Sequence, residues 1–141
     1  MLVLFQIILD ITTIRFWKET RFIFSTSDGL YIADYRKTNF CVKISKCKGN
    51  WPTYTNFELT LDQKYLVART HDQSLLVASD NNQGVFELMK SGLKTFSTIK
   101  HIKRRKANEF LIICEKNIYF LDLNSSEIKL KYIKSGKVSL S

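Results

Sequence analysis

The sequence has little proline, glycine or cysteine. Its 141 residues include one Pro, five Gly and three Cys, which excludes a collagen-like repeat and a Gly/Pro-rich disordered tract. The three cysteines, Cys41, Cys47 and Cys114, are too few and odd in number for the disulfide framework of a small secreted domain. We therefore expect reduced thiols and an intracellular protein.

Long apolar runs are also scarce. The run that opens the chain, MLVLFQIILD at residues 1–10, has about half of the ~20 residues that a bilayer-spanning helix needs. No Lys or Arg precedes it, Asp10 ends it, and no small-residue cleavage site follows, as a secretory signal would require. We expect a buried strand here and no transmembrane segment.

The residues that are abundant favour strands. Hydrophobic residues make up 45% of the chain and charged residues 25%, which is ordinary composition for one globular domain of ~100–150 residues. Many apolar residues are Ile, Val, Phe or Tyr, and β-branched and aromatic side chains suit a half-buried pleated surface. Helical periodicity does not persist over about eleven residues anywhere. The composition therefore predicts an all-β fold.

Pairs of short apolar runs recur at a nearly constant spacing. The first runs are Phe22-Ile23-Phe24, Tyr65-Leu66-Val67 and Phe110-Leu111-Ile112. After a polar turn, the second runs begin at Leu30, Leu75 and Ile118. The first runs are 43 and then 45 residues apart, and the second runs are 45 and then 43 residues apart. A two-residue insertion around residues 71–73 accounts for the difference, so the chain is predicted to contain three repeats.

Each repeat extends to four short strands. In the first repeat we predict strands at about 12–17, 21–26, 29–35 and 39–45, and apolar positions in the other two repeats keep this register. Clusters such as Asp28-Gly29 and Asn124-Ser125-Ser126 have the residue types that end strands. The sequence therefore predicts one domain of three four-stranded antiparallel sheets, formed by repeats at about 11–46, 54–91 and 97–134.

A four-stranded unit that recurs every ~40–45 residues is typical of a propeller blade. The segment FELTLDQKYLV at residues 57–67 resembles the turn between the first and second strands of a WD-type blade, with an Asp at position 62. No Gly-His precedes the first strand of a repeat, and Ala33-Asp34 and Leu121-Asp122 stand where the family has Trp-Asp. The chain is thus similar to a divergent WD-repeat β-propeller over about residues 11–134. The family's Asp–His–Ser/Thr–Trp hydrogen-bond network has no counterpart in these residues.

Three blades are fewer than the four to eight with which propellers usually close, and an open stack leaves two sheet faces exposed. Fourth strands precede the next first strand by 17 positions, so residues 1–10 are predicted to be the outer strand of a preceding blade. Three alternatives stay open: a partial gene product, a subunit whose ring another chain completes, and an open array with its own capping. A stable, monodisperse monomer in solution would count against the first two.

Positive charge is concentrated in the last third of the chain. The net charge is +9, and residues 92–141 have eleven basic and four acidic side chains. The densest part is at residues 100–106, on the predicted first strand of the third repeat, where a blade is normally apolar. Three interpretations stay open: phosphate contacts, protection of a sheet edge and a nuclear-import stretch. The candidate anion- or partner-binding residues are Lys100, Lys103, Arg104, Arg105 and Lys106.

Other candidate sites are few. Trp51 and Tyr54, between the first two repeats, are candidate interface aromatics because Trp is enriched in binding hot spots. The segment His71-Asp72-Gln73-Ser74 contains the residue types of a nucleophilic triad, but consecutive turn residues cannot form the relay. The cysteine spacing does not fit a zinc site, and no Gly-rich phosphate loop is present. We expect no catalytic residue, no metal and no cofactor.

These observations predict a non-catalytic protein–protein interaction scaffold, because stacked repeats present large rigid surfaces. The alternative is a basic module that binds nucleic acid or anionic lipid through residues 100–106. The expected location is the cytoplasm, and the nucleus stays open as an alternative.

Overall fold

The protein consists of strands and the turns between them. A computed structural model describes residues 11, 13–26, 29–36, 41–43, 54–70, 73–81, 86–124 and 127–135. Their first eight strands are β1 (Thr13–Trp17), β2 (Arg21–Thr26), β3 (Gly29–Asp34), β4 (Cys41–Lys43), β5 (Tyr54–Leu59), β6 (Tyr65–Thr70), β7 (Ser74–Asp80) and β8 (Phe86–Lys94). The last four are β9 (Ile99–Lys106), β10 (Glu109–Cys114), β11 (Asn117–Asp122) and β12 (Leu130–Ser135).

The strands form three four-stranded sheets, each a simple meander. Sheet 1 contains β1–β4, sheet 2 contains β5–β8, and sheet 3 contains β9–β12, in chain order within each sheet. All neighbouring strands are antiparallel. The prediction of three four-stranded antiparallel sheets is confirmed. The described residues contain no helix long and apolar enough to cross a bilayer.

Sheets 1 and 2 pack face to face through an apolar core. Sheet 1 contributes the fully buried side chains of Trp17, Ile23, Leu30 and Ile32. Sheet 2 contributes Phe57, Leu59, Leu66, Ala68, Leu76, Ala78 and Phe86. The Trp17 and Phe86 rings lie 5.0 Å apart between centroids. Because side chains alternate between the two faces of a strand, this core uses every second residue of β6.

Sheets 2 and 3 pack through the other face of sheet 2. Sheet 2 contributes Val67, Leu75, Val77 and Leu93. Sheet 3 contributes Ile99, Phe110, Ile112, Cys114, Tyr119, Leu121 and Leu123. Sheet 2 is therefore apolar on both faces, and its central strands β6 and β7 read as nearly continuous apolar runs.

A turn residue of sheet 2 fastens the end of sheet 1. Gln63 has a positive φ of 61° and lies in the turn between β5 and β6. Its carbonyl oxygen accepts a hydrogen bond from Trp17 Nε1 at 3.2 Å, and its side-chain Oε1 accepts one from the Lys18 amide at 3.0 Å. Its Nε2 donates to the Phe16 carbonyl at 3.2 Å. One residue thus satisfies three polar groups of the neighbouring sheet.

The orientation of Tyr65 differs from the one that the repeat spacing predicts. Tyr65 packs toward sheet 3, whereas Phe110 points from sheet 3 back toward sheet 2 and Phe22 lies on the face of sheet 1 that is remote from sheet 2. The sheet 2 residue that shares their orientation is Leu66. The strand-equivalent positions 22, 66 and 110 are therefore 44 residues apart at both steps.

The remote face of sheet 1 has a small core of its own. Phe24 stacks on Tyr31 with ring centroids 5.3 Å apart, and both are buried together with Ala33. Ile11 and Phe22 pack against this cluster. The predicted outer strand at residues 1–10 lies outside the described residues.

Candidate functional site

The basic segment forms β9, an edge strand of sheet 3. The side chains of Lys100, Lys103, Arg104, Arg105 and Lys106 are all exposed. Ile102 of the same strand packs against the core between sheets 2 and 3. The structure therefore brings the five predicted cations onto one strand and gives them access to solvent.

Cations lie on both faces of β9, because side chains alternate along a strand. Arg104 is paired in register with the buried Phe110, and its Nη1 donates to the Leu59 carbonyl of sheet 2 at 3.2 Å. Arg105 forms an ion pair with Glu109 at 3.4 Å. Lys103 is opposite Leu111, on the face directed away from sheet 2. The five cations thus do not form a one-sided patch.

First strands were expected to be interior and apolar, but in β9 only Ile99 is buried and Ile102 partly buried, and the other six residues are exposed. The first strand of sheet 1 is also exposed: Ile14 is 50% and Phe16 74% accessible. In β5 of the middle sheet, by contrast, Phe57 and Leu59 are buried. Among the described residues, both end sheets thus expose side chains of their first strands, and Arg104 does so on the face of β9 that is directed toward sheet 2.

Sequence reasoning missed an aromatic cluster beside β11. Phe96 is 87% exposed, and its backbone amide donates to the Tyr119 hydroxyl at 3.1 Å. The Tyr119 and Tyr132 rings meet edge to face at 5.7 Å. The available signal was a single Phe in the polar stretch Lys94-Thr95-Phe96-Ser97, which has no periodicity to draw attention to it.

The two predicted interface aromatics are less informative. Trp51 lies outside the described residues, and Tyr54 is the first residue of β5.

Asp62, which carries the resemblance to the WD turn, accepts hydrogen bonds from Thr60 Oγ1 at 2.7 Å and from the Lys64 amide at 3.0 Å. Burial raises the pKa of the Asp62 carboxyl, but the hydrogen bonds from Thr60 and Lys64 and the Lys64 charge outweigh it, so the net pKa is lowered.

The described residues contain no group of three or more His, Cys, Asp or Glu side chains that could hold a metal ion. Cys114 lies in the core between sheets 2 and 3 and is a free thiol. Burial raises its pKa, against the hydrogen bonds of Thr95 and Ser97, so the thiol stays protonated and poorly nucleophilic.

Comparison with solved structures identifies the fold. The β-propeller domain of Cps50 (Swd1) from Myceliophteria thermophila is similar over 90% of this chain and 45% of its own, with 12% identity and a TM-score of 0.64. The WD40 repeats of RRP9 match 92% of this chain and 39% of their own, with 9% identity and a TM-score of 0.67. The N-terminal domain of Nup159 matches 89% of this chain and 31% of its own, with 10% identity and a TM-score of 0.58.

These neighbours are WD40 or β-propeller domains, and the three stacked sheets have the architecture of consecutive propeller blades. The chain spans less than half the length of each of these structures, so it corresponds to part of a ring. No protein-family model matches the sequence, and no curated protein matches it. The likeness therefore establishes the fold alone.

Proposed function

We propose that this protein is a non-catalytic protein–protein interaction scaffold of the β-propeller type. The observation that carries the proposal is the exposure of large apolar side chains on a rigid stack of sheets. Phe16 is 74% and Phe96 87% accessible, although both backbones are held by hydrogen bonds, at the Phe16 carbonyl and the Phe96 amide. Exposed aromatic side chains on a fixed backbone are suited to bury area against a partner with little loss of conformational entropy.

Affinity capture with matched variants tests the scaffold function. The purified protein is immobilised and exposed to a lysate of its source, beside the variants Phe16→Ser and Phe96→Ser and the control Lys116→Ser, which changes an exposed residue of the turn between β10 and β11. We expect a protein retained in near-stoichiometric amount by the wild type and the control. Loss of an aromatic hot spot costs about 2 kcal/mol or more, so at least one Phe variant should bind that protein roughly thirtyfold more weakly. Retention of no protein by the wild type would contradict the proposal.

A second candidate function is binding of nucleic acid or anionic lipid through β9. It is favoured by the exposure of all five predicted cations on one strand. Among these five, Arg105 is the one with a described carboxylate partner, Glu109, so the other four charges are available to an anionic ligand. Neutralised phosphates release counter-ions, so binding through these side chains must weaken as salt rises.

A salt titration tests this second candidate. Binding to a single-stranded homopolymer RNA and to vesicles containing anionic lipid is measured at graded salt for the wild type and the double variant Lys103→Gln, Lys106→Gln. A double variant in the outer strand region, Lys129→Gln, Lys131→Gln, is the matched control, since both residues are exposed. We expect the salt slope to fall by about one for each lysine removed from β9. An unchanged slope and affinity would dispose of the candidate.

The proposed location is intracellular, in the cytoplasm or the nucleus. It is supported by the buried free thiol of Cys114, because secreted domains of this size usually oxidise their cysteines.

A further inference from the structure

The outer face of sheet 3 repeats a surface that is buried elsewhere in the same chain. This surface, here named the terminal face, consists of Leu111, Ile113, Ile118 and Phe120, which alternate with the residues directed toward sheet 2. In strand register, Leu111 is opposite Phe120 and Ile113 is opposite Ile118. The equivalent pairs are Ile23 with Ile32 and Ser25 with Leu30 in sheet 1, and Val67 with Val77 and Arg69 with Leu75 in sheet 2.

The equivalent apolar positions of sheets 1 and 2 are covered by the next sheet. Their side chains are inaccessible to solvent: Ile23, Leu30, Ile32, Val67, Leu75 and Val77 are each 0% exposed. On the terminal face, Leu111, Ile118 and Phe120 are partly exposed, and Ile113 is buried, at 8%. Apolar side chains at these strand positions are therefore buried in sheets 1 and 2, whereas Leu111, Ile118 and Phe120 of sheet 3 remain accessible to water.

The first strands of the three sheets also carry a charged residue at one equivalent position. Arg15, Glu58 and Lys103 occupy equivalent positions, opposite Ile23, Val67 and Leu111 respectively. Arg15 of sheet 1 forms an ion pair with Glu58 of sheet 2 at 3.1 Å. The sign of the charge therefore alternates from sheet to sheet. No described carboxylate pairs with Lys103, the last member of this series.

We infer that the terminal face binds an antiparallel β-sheet of a partner protein that carries an Asp or Glu opposite Lys103. This inference rests on the proposed scaffold function and gives its partner a chemistry. The partner sheet packs on Leu111, Ile118 and Phe120 as sheet 2 packs on sheet 1, and its carboxylate takes the place that Glu58 has beside Arg15.

A second copy of this chain fits the terminal face poorly. Joined head to tail, a second copy would place its own sheet 1 on the terminal face, and the sheet 1 residue at the strand position of Glu58 is Arg15. Lys103 would then face a cation, and like charges at an interface are unfavourable. In addition, Phe24, Tyr31 and Ala33 of the remote face of sheet 1 are already buried. Charge complementarity therefore favours a sheet with a carboxylate at that position over a second copy of this chain.

A photo-crosslink tests the inference in the full chain. Leu111 is replaced by the photoreactive residue p-benzoyl-phenylalanine, the protein is irradiated in a lysate of its source, and the crosslinked peptides are identified by mass spectrometry. The same protein is prepared with Lys103→Glu and, as a matched control with the same charge change on an exposed residue of the same sheet, with Lys116→Glu. Circular dichroism verifies that each variant keeps its strands.

We expect a crosslink to a strand of a β-sheet in another protein, and a yield that falls roughly tenfold with Lys103→Glu and stays unchanged with Lys116→Glu. Exchange of the partner's acidic residue for Lys should restore the yield with Lys103→Glu. The inference is overturned by the absence of a crosslink, or by a crosslink to a second copy, to a helix or to nucleic acid. It is also overturned if Lys103→Glu leaves the crosslink yield unchanged. If capture through Phe16 or Phe96 succeeds while the crosslink fails, the terminal face is wrong and the scaffold function stands; if nothing is captured at all, both fail.

Discussion

Two matched truncations measure whether the terminal face is covered in the isolated protein. Leu75 and Ile118 occupy equivalent strand positions, opposite Arg69 and Ile113. Leu75 is 0% exposed between sheets 2 and 3, whereas Ile118 is partly exposed on the terminal face. The experiment compares the free energies of unfolding of Leu75→Ala and Ile118→Ala with that of the wild type.

The expected magnitudes follow from the packing. Truncation of a fully buried Leu to Ala removes its transfer free energy and leaves a cavity, which costs about 2–5 kcal/mol. Ile118 has neighbours within its own sheet and water on its outer side, so no closed cavity forms. Since a fully buried methylene is worth about 0.8 kcal/mol, removal of three carbons from the partly exposed Ile118 costs about 1.5–2 kcal/mol without a cavity contribution. The loss for Leu75→Ala should therefore be the larger one, by about 1.5–2 kcal/mol at the middle of its range.

Urea unfolding followed by circular dichroism, with thermal unfolding as a second assay, reads out this difference. At about 3 °C per kcal/mol for a domain of this size, Leu75→Ala should lower Tm by about 6–15 °C and Ile118→Ala by about 5 °C. Equal losses in the two variants would refute the reasoning, because they would mean that Ile118 is covered as fully as Leu75 within the chain itself.

Three further predictions concern polar groups and the thiol. Because the pKa of Asp62 is lowered in the fold, its contribution to stability is present above its ordinary pKa of about 3.9 and is lost as pH falls through the folded value. Asp62→Asn should therefore destabilise at neutral pH, and urea titrations should show the difference shrinking as pH falls below that ordinary pKa. Trp17→Phe leaves the Gln63 carbonyl without its indole donor and should cost about 1–3 kcal/mol, and a loss below a few tenths in the same titration would contradict a role for this bond. With Cys41 and Cys47 replaced by Ser, the raised pKa and burial of Cys114 should slow its reaction with a thiol reagent at least about tenfold relative to the urea-unfolded chain, and an equal rate in both states would disprove its protection.

The strands and their grouping were predictable because turn residues and apolar runs report them locally. The first repeat was expected at 12–17, 21–26, 29–35 and 39–45, and β1–β4 lie within these bounds. The orientation of Tyr65 was not predictable, because β6 is apolar on both faces and a continuous run carries no period-two signal to separate one face from the other.

The candidate site was predictable only as a set of residues. The five cations of β9 lie within residues 100–106 of the sequence, so their clustering needed no structure. Their distribution over two faces depends on the pairing of Lys103 with Leu111 and of Arg104 with Phe110, which includes an irregular register next to Glu109. The exposure of Phe96 depends on the path between β8 and β9, and a lone aromatic in a polar loop has no pattern that predicts its environment.

Because Gln63 bonds to sheet 1 from the turn between β5 and β6, the length of that turn affects how sheets 1 and 2 pack together. Surface loops generally tolerate an added or deleted residue, since the entropic cost of closing a loop grows slowly with its length. Here an insertion or deletion in the turn would displace Gln63. The three hydrogen bonds that Gln63 forms with Phe16, Trp17 and Lys18 of sheet 1 would then be lost together. Natural variants of this protein should therefore change length at other loops before they change it between residues 60 and 64.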